Sequence, residues 1–435
     1  MWKSVVIEEI REAYLQNIGT LIVAVLLVFA TWMLLHEEPL QPIKVGVLHS
    51  LSGTMAISEA SVMEATLLAI EEINAAGGLL GRMIEPVVAD GESDSLVFAE
   101  QAEHLIVNEK VSAVFGCWTS ACRKTVKPIF EKYHNLLFYP VQYEGLEQSP
   151  NIVYTGATPN QQIFPAVFWS LKHFGSRIYL LGSDYIFPRV ANWLIHKQVP
   201  SLGGNIVGER YVPLASKDMT AVLADIQMLK PDLILNTING DSNITFFNAL
   251  KKAGIDAEDI PVISFSIGEV ELRQLHGDAV GHYAAWSYFQ SIDNPINKHF
   301  IETYQTKFGK NKPVSDPMEA AWMGVHLWAG AVLSAQTDEA DVIQEIIKHQ
   351  SMVAAEGTVT VDDSTQHLWK TSRIGKINSN HQFDVLWSSA RPIRPSPYPA
   401  TISKLEANAF LTRLYEGWHG HWEAPSTAKH GDVNE

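Results

Sequence analysis

The sequence has little cysteine and little positive charge. Only Cys117 and Cys122 occur in 435 residues, so a disulfide scaffold is excluded and an apolar core must stabilise the fold. Lysine and arginine number 32 against 48 aspartates and glutamates, which gives a net charge of −16. Phosphate-binding surfaces need clustered lysine and arginine, and no such cluster is visible in the sequence. We therefore expect an acidic folded protein that binds no nucleic acid.

One long uncharged run lies near the N-terminus, from Ile18 to Leu35. It is nearly long enough to cross a hydrocarbon core of about 30 Å. The run ends in His36-Glu37-Glu38-Pro39, which offers no small-residue cleavage site, and no cysteine follows to carry a lipid. We predict that residues 1–17 are a short cytoplasmic segment and that residues 18–35 are a transmembrane anchor or uncleaved signal, with cleavage as the alternative. The rest of the chain would then lie on the periplasmic side of the inner membrane or on the cell surface.

From Ile43 onward, short apolar runs alternate with amphipathic ones. IKVGVL, IEPVVAD, VSAVFG, NLLFYP, RIYLLG, PDLILNTI and IPVISF are typical of strands buried on both faces. Between the first two, Met63, Leu67, Ile70 and Ile73 recur at helical spacing. The repeated alternation predicts a parallel α/β sheet. After further helices, the sequence alternates as antiparallel strands do. A chain that returns in this way to one lobe and then to the other indicates two α/β lobes joined by several crossings.

Ligands of open α/β sheets bind at the carboxyl ends of the strands. The residues that follow the predicted strands carry hydroxyls, amides, aromatic rings and two acids, but no lysine or arginine. A phosphate or polyanion is therefore a poor ligand for such a site. Cys117 is expected to end a strand and pack as a small hydrophobic residue, and Cys122 to begin the next helix. A bridge between the two is the less favoured reading.

No catalytic, metal or cofactor site is predicted. Gly240-Asp241-Ser242 is similar to an esterase motif, but it does not open the first strand and lacks a partner Asp-x-x-His near the C-terminus. The histidines of the tail, His419, His421 and His430, lack acidic or cysteine partners for a metal. The chain is therefore expected not to be an enzyme, and an amidohydrolase is kept only as a rival for testing.

Five segments together carry a family resemblance: GCWTSACRKTVKPIFE, FYPVQYEGLEQSPNIVYTGATPNQQ, LLGSDYIFPR, NTINGDSNITFF and SFSIGEVEL. In order and spacing, from Ile43 to Pro399, the chain resembles the substrate-binding proteins of ABC transporters for branched-chain amino acids and amides, most closely those for urea. The resemblance implies a type I periplasmic binding protein fold, with two Rossmann-like lobes joined by three hinge crossings. Lobe I is expected at 43–156 and 288–352, lobe II at 157–287 and 353–394, and a C-terminal extension at 395–435.

The resemblance also implies a function: closing on urea or a short-chain amide outside the cytoplasm and delivering it to ABC permease subunits. Two alternatives stay open, a membrane-tethered amide or urea sensor that signals through a partner, and a binder of branched-chain amino acids. The candidate ligand-binding residues are Trp118, Thr119, Ser120, Tyr139 and Gln142 in lobe I, and Tyr185, Asp241 and Glu269 in lobe II.

Three of these candidates have a structural alternative. Tyr139 could be a core residue with a satisfied hydroxyl, Asp241 could cap the helix that follows it, and Glu269 could pair across the hinge.

Overall fold

The computed structural model describes residues 2–35 and 40–425. The chain separates into two compact units, Met1–Pro42 and Ile43–Glu435. The first unit is one helix, α1, Trp2–Leu35, of which Val5–Phe29 is long and apolar enough to cross a membrane. The helix therefore begins well before Ile18, and the predicted segment 1–17 is helical from Trp2 onward. Length and composition suit an anchor and a signal sequence equally.

The second unit contains two large sheets. The strands and helices of its first part are β1 Ile43–His49, α2 Ala56–Ala75, β2 Ile84–Asp90, α3 Ser95–Val107, β3 Val114–Gly116, α4 Ser120–Tyr133, β4 Leu137–Tyr139 and β5 Ile152–Tyr154. These five strands pair in parallel in the order β2-β1-β3-β4-β5. The sheet is the centre of lobe I. Strands β1 and β3 are buried throughout apart from Lys44, as their apolar runs predicted.

The next part forms lobe II. Its elements are α5 Ile163–His173, β6 Arg177–Ser183, α6 Ile186–Gln198, β7 Asn205–Val212, α7 Thr220–Leu229, β8 Leu233–Thr237, α8 Ser242–Lys252, β9 Val262–Ser264, α9 Glu269–Leu272 and β10 Tyr283–Trp286. The chain then adds α10 Pro295–Phe308, α11 Asp316–Ala335 and α12 Ala340–Ile346 to lobe I.

The last part uses antiparallel strands. Strands β11 Ser351–Ala354, β12 Gly357–Val361 and β13 Leu368–Trp369 form a small sheet, and β14 Arg373–Ile377 and β15 Phe383–Ser388 join the edge of the second large sheet. Side chains of β12 and β13 belong to the core of lobe I. The predicted boundary, which gave residues 353–394 to lobe II, therefore differs from the packing over 353–369. The alternation of polar and apolar residues along a strand shows that one face is buried, but it does not show which lobe covers that face.

The chain passes between the two large sheets three times, after β5, after β10 and between β13 and β14, which is the predicted number of hinge crossings. Buried charges link these crossings. Lys370 Nζ lies 2.7 Å from the Glu356 carboxylate and donates to the Thr155 carbonyl at 2.9 Å. Arg373 donates to the carbonyl of Ser287 and to that of Glu356 at 2.8 Å. One network therefore reaches all three crossings.

Two acids of α11 complete the hinge network. Asp316 Oδ2 accepts hydrogen bonds from the backbone amides of Ser287 and Tyr288 at 3.0 and 2.8 Å. Burial raises the pKa of Asp316 to about 6, although nearby Lys370 opposes the shift. Burial also raises the pKa of Glu319 to about 8, and Glu356 adds to that rise. The hinge therefore holds carboxyl groups that bind protons more tightly than in water.

The C-terminal extension contains a helix that the sequence pattern did not predict, α13, Lys404–Gly417. Its apolar side chains join the core of lobe II. The two ring planes of Trp193 and Phe410 stack with centroids 4.6 Å apart. Residues 426–435, including His430, lie outside the described residues. Among the described residues, no group of three or more His, Cys, Asp or Glu could hold a metal ion.

Candidate ligand-binding site

The carboxyl ends of strands from both lobes meet at one cleft, and three hydrogen bonds cross it. Trp118 Nε1 donates to Asn239 Oδ1 at 3.4 Å. Gln142 Nε2 donates to the Phe265 carbonyl at 2.7 Å and to Ser266 Oγ at 3.2 Å. These bonds connect the ends of β3 and β4 with the ends of β8 and β9. The lobes are therefore in direct contact.

A further contact lies toward the edge of the cleft. Ser58 Oγ, on α2, donates to Glu271 Oε1, on α9, at 2.7 Å. Burial raises the pKa of Glu271, while Ser58 lowers it. The two lobes thus meet at the rim as well as at the strand ends.

The amide oxygen of Gln142 has no partner in the described part of the chain, although it is buried. The amide cannot be reversed without loss, because the carbonyl of Phe265 can only accept a hydrogen bond. A buried acceptor left unpaired costs roughly 1 to 3 kcal/mol. Gln142 therefore keeps one unpaired acceptor at the cleft, while its nitrogen donates from lobe I to lobe II.

Two predicted hydroxyl contacts are used within the protein instead. Thr119 precedes α4 and caps it, because its Oγ1 accepts from the Cys122 amide at 3.0 Å. Ser120 Oγ donates to Glu144 Oε2 at 2.5 Å and accepts from Arg123 Nη1 at 2.9 Å. Ser120, one of the candidate ligand-binding residues, therefore directs its only hydroxyl proton to Glu144. Since Thr119 already binds the Cys122 amide, only the amides of α4 that precede Cys122 remain as donors.

The two tyrosines differ in role. Tyr139 is fully buried, and its hydroxyl donates to the Trp118 carbonyl at 2.6 Å, which is the core role kept as an alternative. It therefore holds the Trp118 backbone in place. Tyr185, at the start of α6 in lobe II, is 1% exposed. Burial raises its pKa most, and Tyr139 and Glu144 raise it further, so its phenol lies close to both groups across the lobes.

Asp241 and Glu269 lie away from the centre of the cleft. The side chain of Asp241 is half-buried and does not cap α8. A Cβ on the preceding Gly240 would lie 3.3 Å from Thr54, so this turn rests against lobe I at the rim. Glu269 Oε1 accepts from the Gln290 amide at 2.7 Å, just past the second crossing. Burial raises the pKa of Glu269 to about 8. Glu269 therefore belongs to the hinge, the alternative named from the sequence.

The two cysteines form a disulfide, in contrast to the expectation of a free Cys117. The bridge closes the turn that carries Trp118 and Ser120. Cys117 adopts a left-handed backbone conformation with φ of 62°, which residues other than glycine adopt rarely. Sequence spacing alone did not reveal that the strand ends in this reversal, which brings the two sulfur atoms together.

Sequence reasoning missed three residues of the site. Asn239 was among the strand-end residues but not among the chosen candidates. Arg123 and Glu144 are both fully buried and form an ion pair at 3.0 Å. They lie 21 residues apart, so no local pattern connects them. The one available signal of a buried charge was the acid Glu144 in the largely apolar stretch after β4.

Residues 43–404 match the family model described as periplasmic binding protein domain. The match covers most of the chain. This protein belongs to the periplasmic binding protein family. The family is one of periplasmic binding domains.

Relatives of this periplasmic binding protein agree with the family but not with the urea specificity. The Leu/Ile/Val-binding protein homolog 6 of Brucella melitensis is 23% identical over 337 residues, 75% of this chain and 85% of the relative. A limonene hydroxylase of Geobacillus stearothermophilus is 31% identical over 119 residues, which is 27% of this chain and only 22% of that protein. A match that short says nothing about the activity of this chain.

Solved structures show the same fold at low identity. A solute-binding protein of an ABC transporter from R. palustris, solved with 4-hydroxybenzoate, has a TM-score of 0.74 at 22% identity and covers 81% of this chain and 98% of its own. A branched-chain amino acid transporter substrate-binding protein from Streptococcus pneumoniae, solved with isoleucine, has a TM-score of 0.71 at 22% identity and covers 81% and 100%. The type I periplasmic binding fold with two lobes is thereby confirmed.

Proposed function

We propose that this protein is the extracytoplasmic solute-binding component of an ABC transporter and that its lobes close on urea or a short-chain amide. The observation that carries the proposal is the buried, unpaired amide oxygen of Gln142 in the cleft. Urea and primary amides supply the N–H donors that such an acceptor requires. Helix α1 would hold the domain at the membrane, and permease subunits would be its partners.

The charges of the cleft also favour a neutral ligand. Arg123 donates to Ser120 at the proposed site, and Glu144 and Glu147 pair with it at 3.0 and 2.7 Å. Arg189, after Tyr185, is paired with Asp184 at 2.8 Å. A benzoate or an amino-acid carboxylate would therefore find no uncompensated cation among these groups. The ligand carbonyl would be bound by the amides of α4 that precede Cys122.

The size of the cleft favours a small ligand. Direct bonds from Trp118 to Asn239 and from Gln142 to Phe265 span the gap between the lobes. Leucine or benzoate would have to separate these groups and lose their hydrogen bonds. A ligand that touches both lobes favours the closed state by the contacts that it makes there alone.

Binding of a branched-chain amino acid is the second candidate. It is favoured by the names of relatives such as the Leu/Ile/Val-binding protein homolog 6. In that case the lobes would close less far, and an acid such as Asp241 at the rim would pair with the ligand ammonium group. Binding of urea would keep the hydrogen bond from Gln142 to Phe265, whereas binding of a branched-chain amino acid would break it.

Calorimetric titration separates the candidates. Residues 41–435 would be titrated with urea, acetamide, formamide, leucine and benzoate under the same conditions. We expect saturable binding of urea or an amide and none of leucine or benzoate. Binding of leucine alone would refute the proposal and establish the second candidate. Ammonia release during incubation with urea or acetamide would instead establish an amidohydrolase.

A further inference from the structure

Four buried charges form a network beside the proposed site. Arg123 Nε donates to Glu147 Oε1 at 2.7 Å, and its Nη2 donates to Glu144 Oε1 at 3.0 Å. Lys124 Nζ donates to Glu147 Oε2 at 3.0 Å. All four side chains are at most 5% exposed. Two cations and two carboxylates cancel, so the network as a whole is neutral.

The two carboxylates of the network face different ways. Glu144 lies next to the cleft, because its Oε2 accepts from Ser120 and its charge reaches Tyr185 of lobe II. Glu147 Oε1 instead accepts from the Tyr154 hydroxyl at 3.2 Å inside lobe I, and its Oε2 accepts from Lys124. Burial would raise the pKa of Glu147, but Arg123 outweighs it and holds that pKa well below its usual value. Both carboxylates therefore balance the same guanidinium from opposite sides.

The balance of charge between Arg123 and its carboxylate partners determines whether the cleft can bind a charged ligand. With Glu144 ionised, a ligand carboxylate near Ser120 would meet a like charge and gain nothing from Arg123, which is already paired. Without the Glu144 charge, the buried network would carry a net positive charge. An uncompensated buried charge is costly, and a small anion in the cleft would relieve that cost.

We propose that Glu144 is the residue that sets the ligand charge of this site, because its carboxylate neutralises Arg123 and repels carboxylate ligands. This inference rests on the proposed function and gives its specificity a physical cause. Ser120 transmits the effect, since its hydroxyl hydrogen is bound to Glu144 and its oxygen accepts from Arg123.

The test uses the full chain in detergent micelles with the substitution Glu144→Gln. Sodium acetate and acetamide serve as probes because they have nearly the same shape and differ in charge. We expect the variant to bind acetate at least about tenfold more tightly than the wild type does. Its melting temperature in sodium acetate should also be higher than in the same concentration of sodium chloride, because a ligand that binds the folded state stabilises that state. The melting temperature can still be compared if the variant is too unstable for titration.

Glu147→Gln is the matched control. It removes the same charge from the same network, but the Glu147 carboxylate contacts Arg123, Lys124 and the Tyr154 hydroxyl and not Ser120, so we expect a clearly smaller gain in acetate binding. Equal acetate affinity in the wild type and the Glu144→Gln variant overturns the inference. So does an equal gain in the control, or a Glu144→Gln chain that is as unfolded in acetate as in chloride.

Wild-type titrations with urea and acetamide keep the two proposals apart. A wild type that binds neither refutes the proposed function and the inference with it. A wild type that binds them, together with a Glu144→Gln variant that gains no acetate binding, refutes the inference alone.

Discussion

At the scale of single residues, the position of a side chain could be predicted but its bonding could not. The rule that ligands bind after parallel strands identified Trp118, Ser120 and Gln142 from the sequence alone. It did not indicate that the Ser120 proton points to Glu144, 24 residues further along. Nor did it indicate that only one end of the Gln142 amide is free. Such bonds depend on tertiary contacts that no local pattern contains.

Replacing Gln142 with Met should weaken urea or amide binding by roughly 1 to 3 kcal/mol. The substitution keeps the volume but removes both the free acceptor and the donor to Phe265. Calorimetry of the variant measures the loss directly. Gln148→Met is a matched control, because Gln148 is exposed in the same loop and should bind as the wild type does. A Gln142→Met variant with wild-type affinity would remove Gln142 from the site.

At the scale of elements, the turn between β3 and α4 is held by the bond between Cys117 and Cys122. Its bounds were predicted within a few residues because the apolar run and the helix cap are local signals. The left-handed backbone at Cys117 was not predicted, since cysteine gives no such preference.

Replacing both cysteines with alanine should lower the free energy of unfolding by about 2 kcal/mol, the value expected for a short closed loop. Ligand affinity should fall as well, because Trp118 lies inside that loop. Unfolding in guanidinium chloride measures the first effect and calorimetry the second. A reducing agent should affect the wild type and leave the double variant unchanged. Two free thiols counted in the unreduced wild type would contradict the account.

The C-terminal extension is the second element with a structural consequence. The Ile186 amide donates to the Trp422 carbonyl, and the Ala424 amide donates to the Asp184 carbonyl, both at 3.0 Å. These bonds attach the segment to lobe II on either side of Tyr185. The Trp422 ring lies 4.9 Å from Lys124 Nζ of lobe I. Trp422 therefore connects the two lobes next to the cleft.

Trp422→Ala should weaken ligand binding by roughly two- to thirtyfold, which corresponds to about 0.5 to 2 kcal/mol for one cation–π contact with a buried lysine. Dissociation should become faster, because the closed state loses a contact between the lobes. Stopped-flow dissociation and calorimetry measure the two effects. Glu406→Ala is the control, since it breaks the 2.7 Å ion pair with Lys197 within lobe II alone. Equal effects of the two substitutions would show that the extension does not join the lobes.

At the scale of the whole molecule, the alternation of strands and helices was sufficient to predict two α/β lobes. The hinge was not predictable in chemical detail, because its acids come from distant parts of the chain. Glu269, Asp316 and Glu319 are all buried there with raised pKa values of about 8, 6 and 8. Each binds its proton more tightly in the folded state than in the unfolded chain.

This arrangement gives stability a definite pH dependence. The stabilisation is complete below the ordinary carboxyl pKa and is lost as the pH rises through the folded value. The free energy of unfolding of residues 41–435 should therefore fall between pH 5 and pH 8, by about 1.4 kcal/mol per pH unit for each of Glu269 and Glu319, and for Asp316 only up to about pH 6. Guanidinium chloride is the denaturant to use, because urea is the proposed ligand.

Glu269→Gln should reduce that slope, since it removes one titrating group and keeps an oxygen to accept from the Gln290 amide. Glu85→Gln, at an exposed position of β2, should leave the slope unchanged. Stability that stays constant from pH 5 to pH 8 in the wild type would contradict the assignment of protonated acids to the hinge.

The central claim, that the lobes close on a small neutral polar molecule, is tested most directly by a crystal structure of residues 41–435 grown with urea. We expect urea to lie beside Trp118 and Tyr185, with one nitrogen about 3 Å from Gln142 Oε1 and the Glu144 to Arg123 pair intact. Urea bound only outside the cleft, or a cleft that stays open and accepts leucine instead, would contradict it.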